Sequence, residues 1–243
     1  MRLKYIVLIA LSVCLLSGMA FADCTVVIAS KTGGGAACDD CSGNLLYSHH
    51  CENNDDATAG TPPLCGCSDS ATYKSWIKTT AAYSDVQKND GTYSILCNSA
   101  DGCKASIDNT GNWLGIEITG CWKGYVYLTS DVNQILAYLG STITVEFVAA
   151  TDVIKLTYGG EYLASVVTIS QNTWTYVECA WDASQSAGSD KLKVVVGATT
   201  AENTTKSLTN QAALTPSHII GSSSGAKYFY MDQVQLWSSY AGN

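Results

Sequence analysis

Hydrophobic and polar positions alternate with a period of two over much of this chain, the pattern of strands with one buried face. Ile143, Val145 and Phe147, for example, alternate with Thr144 and Glu146. Runs rich in β-branched and aromatic residues occur at 92–96, 122–129, 143–149, 153–158, 162–169, 174–181, 192–198 and 228–237. Turn formers separate them, among them Asp152, Gly159-Gly160, Asn172 and the Gly/Ser stretch 221–225. Short strands at this interval predict an antiparallel β-sandwich. One segment has a different period. Val132, Ile135, Leu136 and Leu139 fall at i, i+3, i+4 and i+7, with Ser130 or Asp131 as a cap and Gly140 as a stop. That spacing predicts one short helix over 131–139. Residues 45–52 read as a further strand, and the Ser/Thr/Asn-rich stretch 199–217 reads as a long polar loop.

The first 22 residues follow the pattern of a signal peptide. Arg2 and Lys4 precede an apolar run over 6–16, and Ala20-Phe21-Ala22 supplies the small residues for cleavage after Ala22. The run is too short to span a bilayer, and no later stretch reaches 18 apolar residues, so no membrane insertion is expected. Export places the chain in an oxidising compartment. Of its eleven cysteines only Cys14 lies in the leader, and disulfides are the expected state of the rest. Residues 23–43 form a Cys-rich N-terminal segment ahead of a sandwich domain over 44–243. The loop-rich, cross-linked character continues to about residue 72, with further cysteines at 51, 65 and 67. Cys97 and Cys103 flank a turn-rich loop, which predicts a disulfide closing a hairpin. Cys38-x-x-Cys41, His49-His50-Cys51 and Cys65-Gly-Cys67 offer zinc-ligand chemistry, but their spacing is not that of a zinc ribbon. The net charge of −8 disfavours nucleic acid and anionic membrane surfaces as partners.

Three blocks near the C-terminal end carry a family resemblance. They are Thr173-Trp-Thr-Tyr-Val-Glu-Cys-Ala-Trp-Asp182, Lys191-Leu-Lys-Val-Val-Val-Gly197 and Met231-Asp-Gln-Val-Gln-Leu-Trp237. Together they resemble the closing strands of concanavalin A-like lectin/glucanase domains of the laminin G-like type. The resemblance covers about 140–237, is weaker over 44–130 and is absent over 23–43. It implies a jelly roll of two curved sheets whose last strand pairs with its first, the latter corresponding to 45–52. It specifies architecture rather than ligand, because lectins, adhesion modules, glycosidases and lyases share the fold.

The residues favour binding over catalysis. A retaining glycosidase needs two carboxylates roughly 5 Å apart. The laminarinase-like strand motif Glu-x-Asp-x-x-Glu is missing, and Glu117, Glu146 and Glu178 each stand alone. Arg2 is the single arginine, so no guanidinium clamp remains after cleavage. Aromatic rings are the usual platform for a sugar's C–H face. Strict alternation puts Tyr125 and Tyr127 on one face of their strand. It also groups Gln233, Gln235 and Trp237 with Phe229 and Met231, opposite Tyr230, Asp232, Val234 and Leu236. If Val234 and Leu236 face the core, Gln233, Gln235, Trp237, Tyr125 and Tyr127 are the candidate ligand-binding residues for an oligosaccharide or polysaccharide. Trp174 and Trp181 read as packing. The run Glu52-Asn-Asn-Asp-Asp56 is dense in hard oxygen ligands, and the resemblance brings Asp232 near it. Glu52, Asp55 and Asp232 are therefore candidate ligands of a structural calcium ion. The expected function is a secreted, non-catalytic glycan-binding or adhesion module; the alternatives are an interaction module without a sugar site and a polysaccharide-degrading enzyme.

Overall fold

The structure is a computed structural model describing residues 45–49, 76–79, 81–107, 118–140, 143–209 and 217–240, all within one compact unit, Gly35–Asn243. The leader, the Cys-rich segment 23–43, Glu52 and Asp55 lie outside the described residues. Fifteen strands are described: β1 (Leu45–His49), β2 (Trp76–Thr79), β3 (Ala81–Ser84), β4 (Ser94–Ser99), β5 (Cys103–Ile107), β6 (Thr119–Leu128), β7 (Gln134–Leu139), β8 (Ile143–Val148), β9 (Val153–Tyr158), β10 (Glu161–Ala164), β11 (Thr175–Asp182), β12 (Asp190–Val196), β13 (Thr199–Lys206), β14 (Ser217–Ser222) and β15 (Lys227–Trp237). They form two antiparallel sheets. The larger has the order β13-β12-β11-β6-β15-β4-β3, with β1 also on β15, and the smaller β10-β9-β8-β7-β14-β5-β2. The first described strand thus pairs with the last, Leu45 opposite Trp237, as expected.

The core is the layer between the sheets, and alternation builds it. Ile143, Val145 and Phe147 of β8 and Ile154, Leu156 and Tyr158 of β9 are fully buried from the smaller sheet. Trp122, Val126 and Leu128 of β6 and Val177, Cys179 and Trp181 of β11 meet them from the larger. Each such large side chain contributes about 1.5–3 kcal/mol by leaving water. Two contacts fix how the sheets stack. The Trp122 indole N–H donates across the core to Ile219 O of β14 at 2.9 Å. Trp181 packs on Tyr158 of β9 with ring centroids 6.4 Å apart. Gly120 makes room for Trp181, since a Cβ there would stand 2.3 Å from the indole ring.

Three sequence expectations are corrected. Residues 131–139 are not helical: Gln134–Leu139 is β7, paired with β8. Gln134, Ala137 and Leu139 lie opposite Phe147, Val145 and Ile143, and Leu136 is the extra residue of a bulge. A bulge shifts the apolar phase by one residue, and the broken period of two then imitates helical spacing. Gly140, with φ 65°, turns the chain toward β8 instead of capping a helix. The polar stretch beginning at 199 opens as a strand, β13. As an edge strand it needs little apolar content, and Ala201 is its one buried residue. The Cys97–Cys103 disulfide is present, with Cα atoms 5.5 Å apart. It does not close a hairpin, however, because β4 belongs to the larger sheet and β5 to the smaller. It ties the two layers together.

Disulfide pairing also fails to extend to Cys121 and Cys179, which are free and buried. Cys179 lies opposite Trp122 and faces the core, whereas Cys121 lies opposite Ala180 and faces outward. Neighbouring strands therefore hold them on opposite sides of one sheet, beyond the reach of a disulfide. Burial, with the nearby Glu178 charge, pushes the Cys121 thiol up to about 12. Burial likewise holds Cys179 well above the ordinary thiol range.

Two stability predictions follow from this architecture. Replacing Cys97 and Cys103 together by Ser should cost roughly 2 kcal/mol in denaturant unfolding, the value for so short a loop. His218 of β14 is buried beside Tyr138, and burial, aided by Lys104, lowers its pKa from 6.5 to about 4. The unfolded chain therefore takes up the proton first as the pH falls. This contribution is full above about pH 6.5 and is lost toward pH 4. Melting temperature should fall across that window, and His218→Gln should flatten the slope.

Candidate functional site

The outer face of the larger sheet gathers most of the half-buried aromatic rings among the described residues. Register defines it row by row. Tyr230 of β15 lies opposite Tyr127 of β6, and Tyr125 lies opposite Tyr176 of β11. The next outward row is polar: Gln235, Lys123 and Glu178 stand side by side on β15, β6 and β11. The row beyond runs Trp237, Cys121, Ala180 and Lys193. Trp174, one residue before β11, completes the first row by packing on Tyr127.

The rings form two neighbouring groups along the belt. Tyr127 contacts Trp174 at 5.5 Å and Tyr230 at 5.9 Å between centroids, and Tyr125 contacts Tyr176 at 5.5 Å. Tilted and edge-on pairs of this kind add about 0.5–1.5 kcal/mol each beyond their burial and hold the rings in place. In the polar row, Glu178 pairs with Lys193 at 2.6 Å and accepts the Tyr176 hydroxyl at 2.8 Å. Burial and that hydrogen bond raise the Tyr176 pKa, so the phenol stays protonated. Lys123 Nζ lies 4.7 Å from the centroid of Trp237, whose indole N–H donates to Gln235 Oε1 at 3.1 Å.

The candidate residues divide. Tyr125, Tyr127, Gln235 and Trp237 share the outer face as expected. Gln233 does not continue the row: it sits in a β-bulge with φ 51°. Gln233 and Val234 together oppose Gly124, so the alternation of β15 changes phase there. The grouping of Phe229 and Met231 with Trp237 is therefore corrected. Both are fully buried in the core, while Tyr230 and Asp232 join the outer face. Trp181 is core as expected, but Trp174 belongs to the outer belt. Tyr176, Tyr230, Glu178 and Lys193 are not among the binding residues expected from the sequence. The alternation within β11 carries that signal, but only the strand register shows that it meets Tyr125.

Asp232 points outward yet is fully buried, because the loop 85–93 folds over it. Its Oδ2 accepts the Asn89 and Asp90 N–H groups at 3.1 Å, and its Oδ1 accepts the Gln233 N–H at 2.8 Å. The carboxylate thus anchors a loop at the margin of the aromatic belt, where a cation would compete with these donors. Glu52 and Asp55 lie outside the described residues. Among the described residues no group of three His, Cys, Asp or Glu side chains is arranged to hold a metal ion.

No protein-family model matches the chain, and no curated protein matches it in sequence. Solved structures match its fold. The Botulinum neurotoxin serotype D binding domain superposes with a TM-score of 0.51 at 10% identity, over 81% of this chain and 48% of that one. The serotype G binding domain gives 0.52 at 8% identity, over 81% and 48%. Trypanosoma rangeli sialidase in complex with 2,3-difluorosialic acid gives 0.50 at 12% identity, over 85% and 32%. The chain spans about half the length of the toxin domains and a third of the sialidase chain. At these identities the likeness shows the β-sandwich fold alone.

The Asp232 geometry makes a test that separates backbone anchoring from calcium binding. Asp232→Ala leaves three N–H groups without their acceptor and should cost about 3 kcal/mol or more. The loss should be the same in chelator and in millimolar calcium. A loss seen only with calcium present would assign Asp232 to a metal instead.

Proposed function

We propose that this chain is a secreted, non-catalytic glycan-binding or surface-adhesion module built on a concanavalin A-like β-sandwich. The observation that supports this most is the aromatic belt Trp174–Tyr127–Tyr230 and Tyr125–Tyr176, set beside the polar row Gln235–Lys123–Glu178 on one sheet face. Rings take the apolar C–H face of a pyranose, while the Gln235 amide and the Lys123 ammonium offer partners for its hydroxyls. The strands that carry them are fixed by the core behind, so the surface is set before a ligand arrives. Of the three solved neighbours named above, two are binding domains and one is a sialidase, which is compatible with this reading.

The site centres on Tyr125 and Tyr127, with Trp237 and Gln235 at its margin. Trp237 already carries Lys123 over its ring and bonds to Gln235. Binding is weak for one site, because a shallow platform exchanges water for protein at small net gain per hydroxyl. It also depends little on salt, because Lys193 is neutralised by Glu178 within the site.

A broad glycan array tests the reading. Tyr127→Ala and Trp174→Ala should each lower the affinity for an array-positive oligosaccharide tenfold or more. Both variants should stay folded, with the melting temperature lowered by roughly 2–4 °C for each kcal/mol of lost ring packing. Binding should change less than about threefold between low and physiological salt. An array with no positive glycan, together with capture of a protein ligand that these variants lose, would favour the interaction-module reading.

A further inference from the structure

Cys121 and Ala180 point outward from the larger sheet, yet both are fully enclosed and neither belongs to the core between the sheets. The segment after β15 covers them. Thr119 Oγ1 of β6 donates to Ser238 O at 2.6 Å, so the chain is still beside β6 at Ser238. Two residues later, the Tyr240 hydroxyl donates to Glu202 Oε1 of β13 at 2.6 Å. The Tyr240 ring lies near the ammonium groups of Lys191 and Lys193 on β12, 5.7 and 5.0 Å from its centroid. Residues 238–240 therefore strap the outer face from β6 to β12, over the row that holds Cys121 and Ala180.

The strap limits the platform. On β6, the outward residues Tyr127, Tyr125, Lys123 and Cys121 are two positions apart, a step of roughly 7 Å. The open floor runs from Tyr127 to Lys123, and the strap begins at the next step. A second wall closes the adjoining side, where Asp232 pins the turn at Asn89 and Asp90 beside β15. A floor walled on two adjoining sides blocks the straight passage of a long chain along the strands or across them.

We propose that the ligand is the terminus of an oligosaccharide rather than the interior of a polysaccharide, with the Tyr240 strap as the element that imposes this choice. The proposal rests on the glycan reading above. Tyr240 acts by position: its hydroxyl and ring hold the strap to β12 and β13, and the strap ends the floor.

The test uses the full chain and two readouts. The first compares an array-positive oligosaccharide with a long polymer of the same repeat as competitors. The wild-type protein should respond to the number of chain ends, so the polymer competes no better than its ends predict. Competition in proportion to total sugar would overturn the proposal. The second readout is labelling of Cys121 by a thiol reagent, which should be slow in the wild type and at least tenfold faster in Tyr240→Ala. The same variant should begin to respond to polymer interiors. If Tyr240→Ala does not fold, Tyr240→Phe removes only the bond to Glu202 and should give a smaller rise in labelling. Rapid Cys121 labelling in the wild type would show that the strap is not the cover and would overturn the proposal. Loss of all sugar binding with Cys121 still protected would instead remove the glycan reading and, with it, the ligand assigned here.

Discussion

Between Met231 and Val234, β15 carries one residue more than β6 opposite it, and the left-handed Gln233 absorbs the difference. A non-glycine residue in that conformation costs about 1–2 kcal/mol. Two local features offset the cost. The Asp232 carboxylate accepts the Gln233 N–H, and the facing Gly124 leaves space where a Cβ would lie 3.3 Å from Asp232 O. Strict alternation would put Phe229 and Trp237 on the same side. The bulge instead keeps Phe229, Met231, Val234 and Leu236 in the core and turns Tyr230, Asp232, Gln235 and Trp237 outward together. The aromatic belt on β6 and β11 meets a matching β15 because of this one inserted residue.

The outer face is only as rigid as the layer beneath it. Trp122 donating to Ile219, Trp181 against Tyr158, and the Cys97–Cys103 bridge all join one sheet to the other. Sliding of the sheets would break the first two contacts and strain the third. The strands of the larger sheet, and the rings they carry, are thereby held in one register. The two free thiols fit the same picture. With Cys179 in the core and Cys121 outside it, each fills volume, and burial keeps both protonated rather than reactive.

The sandwich was legible in the sequence because most strands keep a clean period of two. Val153–Tyr158 is a case where the pattern and the structure agree to the residue. Failures occurred where that period is broken or unnecessary. The bulge at Leu136 made β7 look helical, and the bulge at Gln233 reversed half of β15. β13 was read as loop because an edge strand needs only one buried side chain, Ala201. The 97–103 bridge was found from spacing, but spacing does not reveal whether the chain changes sheet between two strands. For the candidate site, Tyr125 and Tyr127 were visible within one strand. Their partners Tyr176 and Tyr230 come from strands 50 or more positions away, and only register joins them.

The carboxylates on this face are each held in contacts that fix neighbouring parts of the structure. Here Glu178 is taken by Lys193 and Tyr176, Glu202 by Tyr240, and Asp232 by three backbone N–H groups. Asp182 is bonded by Ser184 and Gln185; burial alone would raise its pKa, but those bonds and Lys191 outweigh it and leave it lowered. Each charge is thus used to fix a ring, a strap or a loop in position. Such a surface is set in shape by its own contacts, and under the proposed reading its selectivity would come from where the rings and the walls stand.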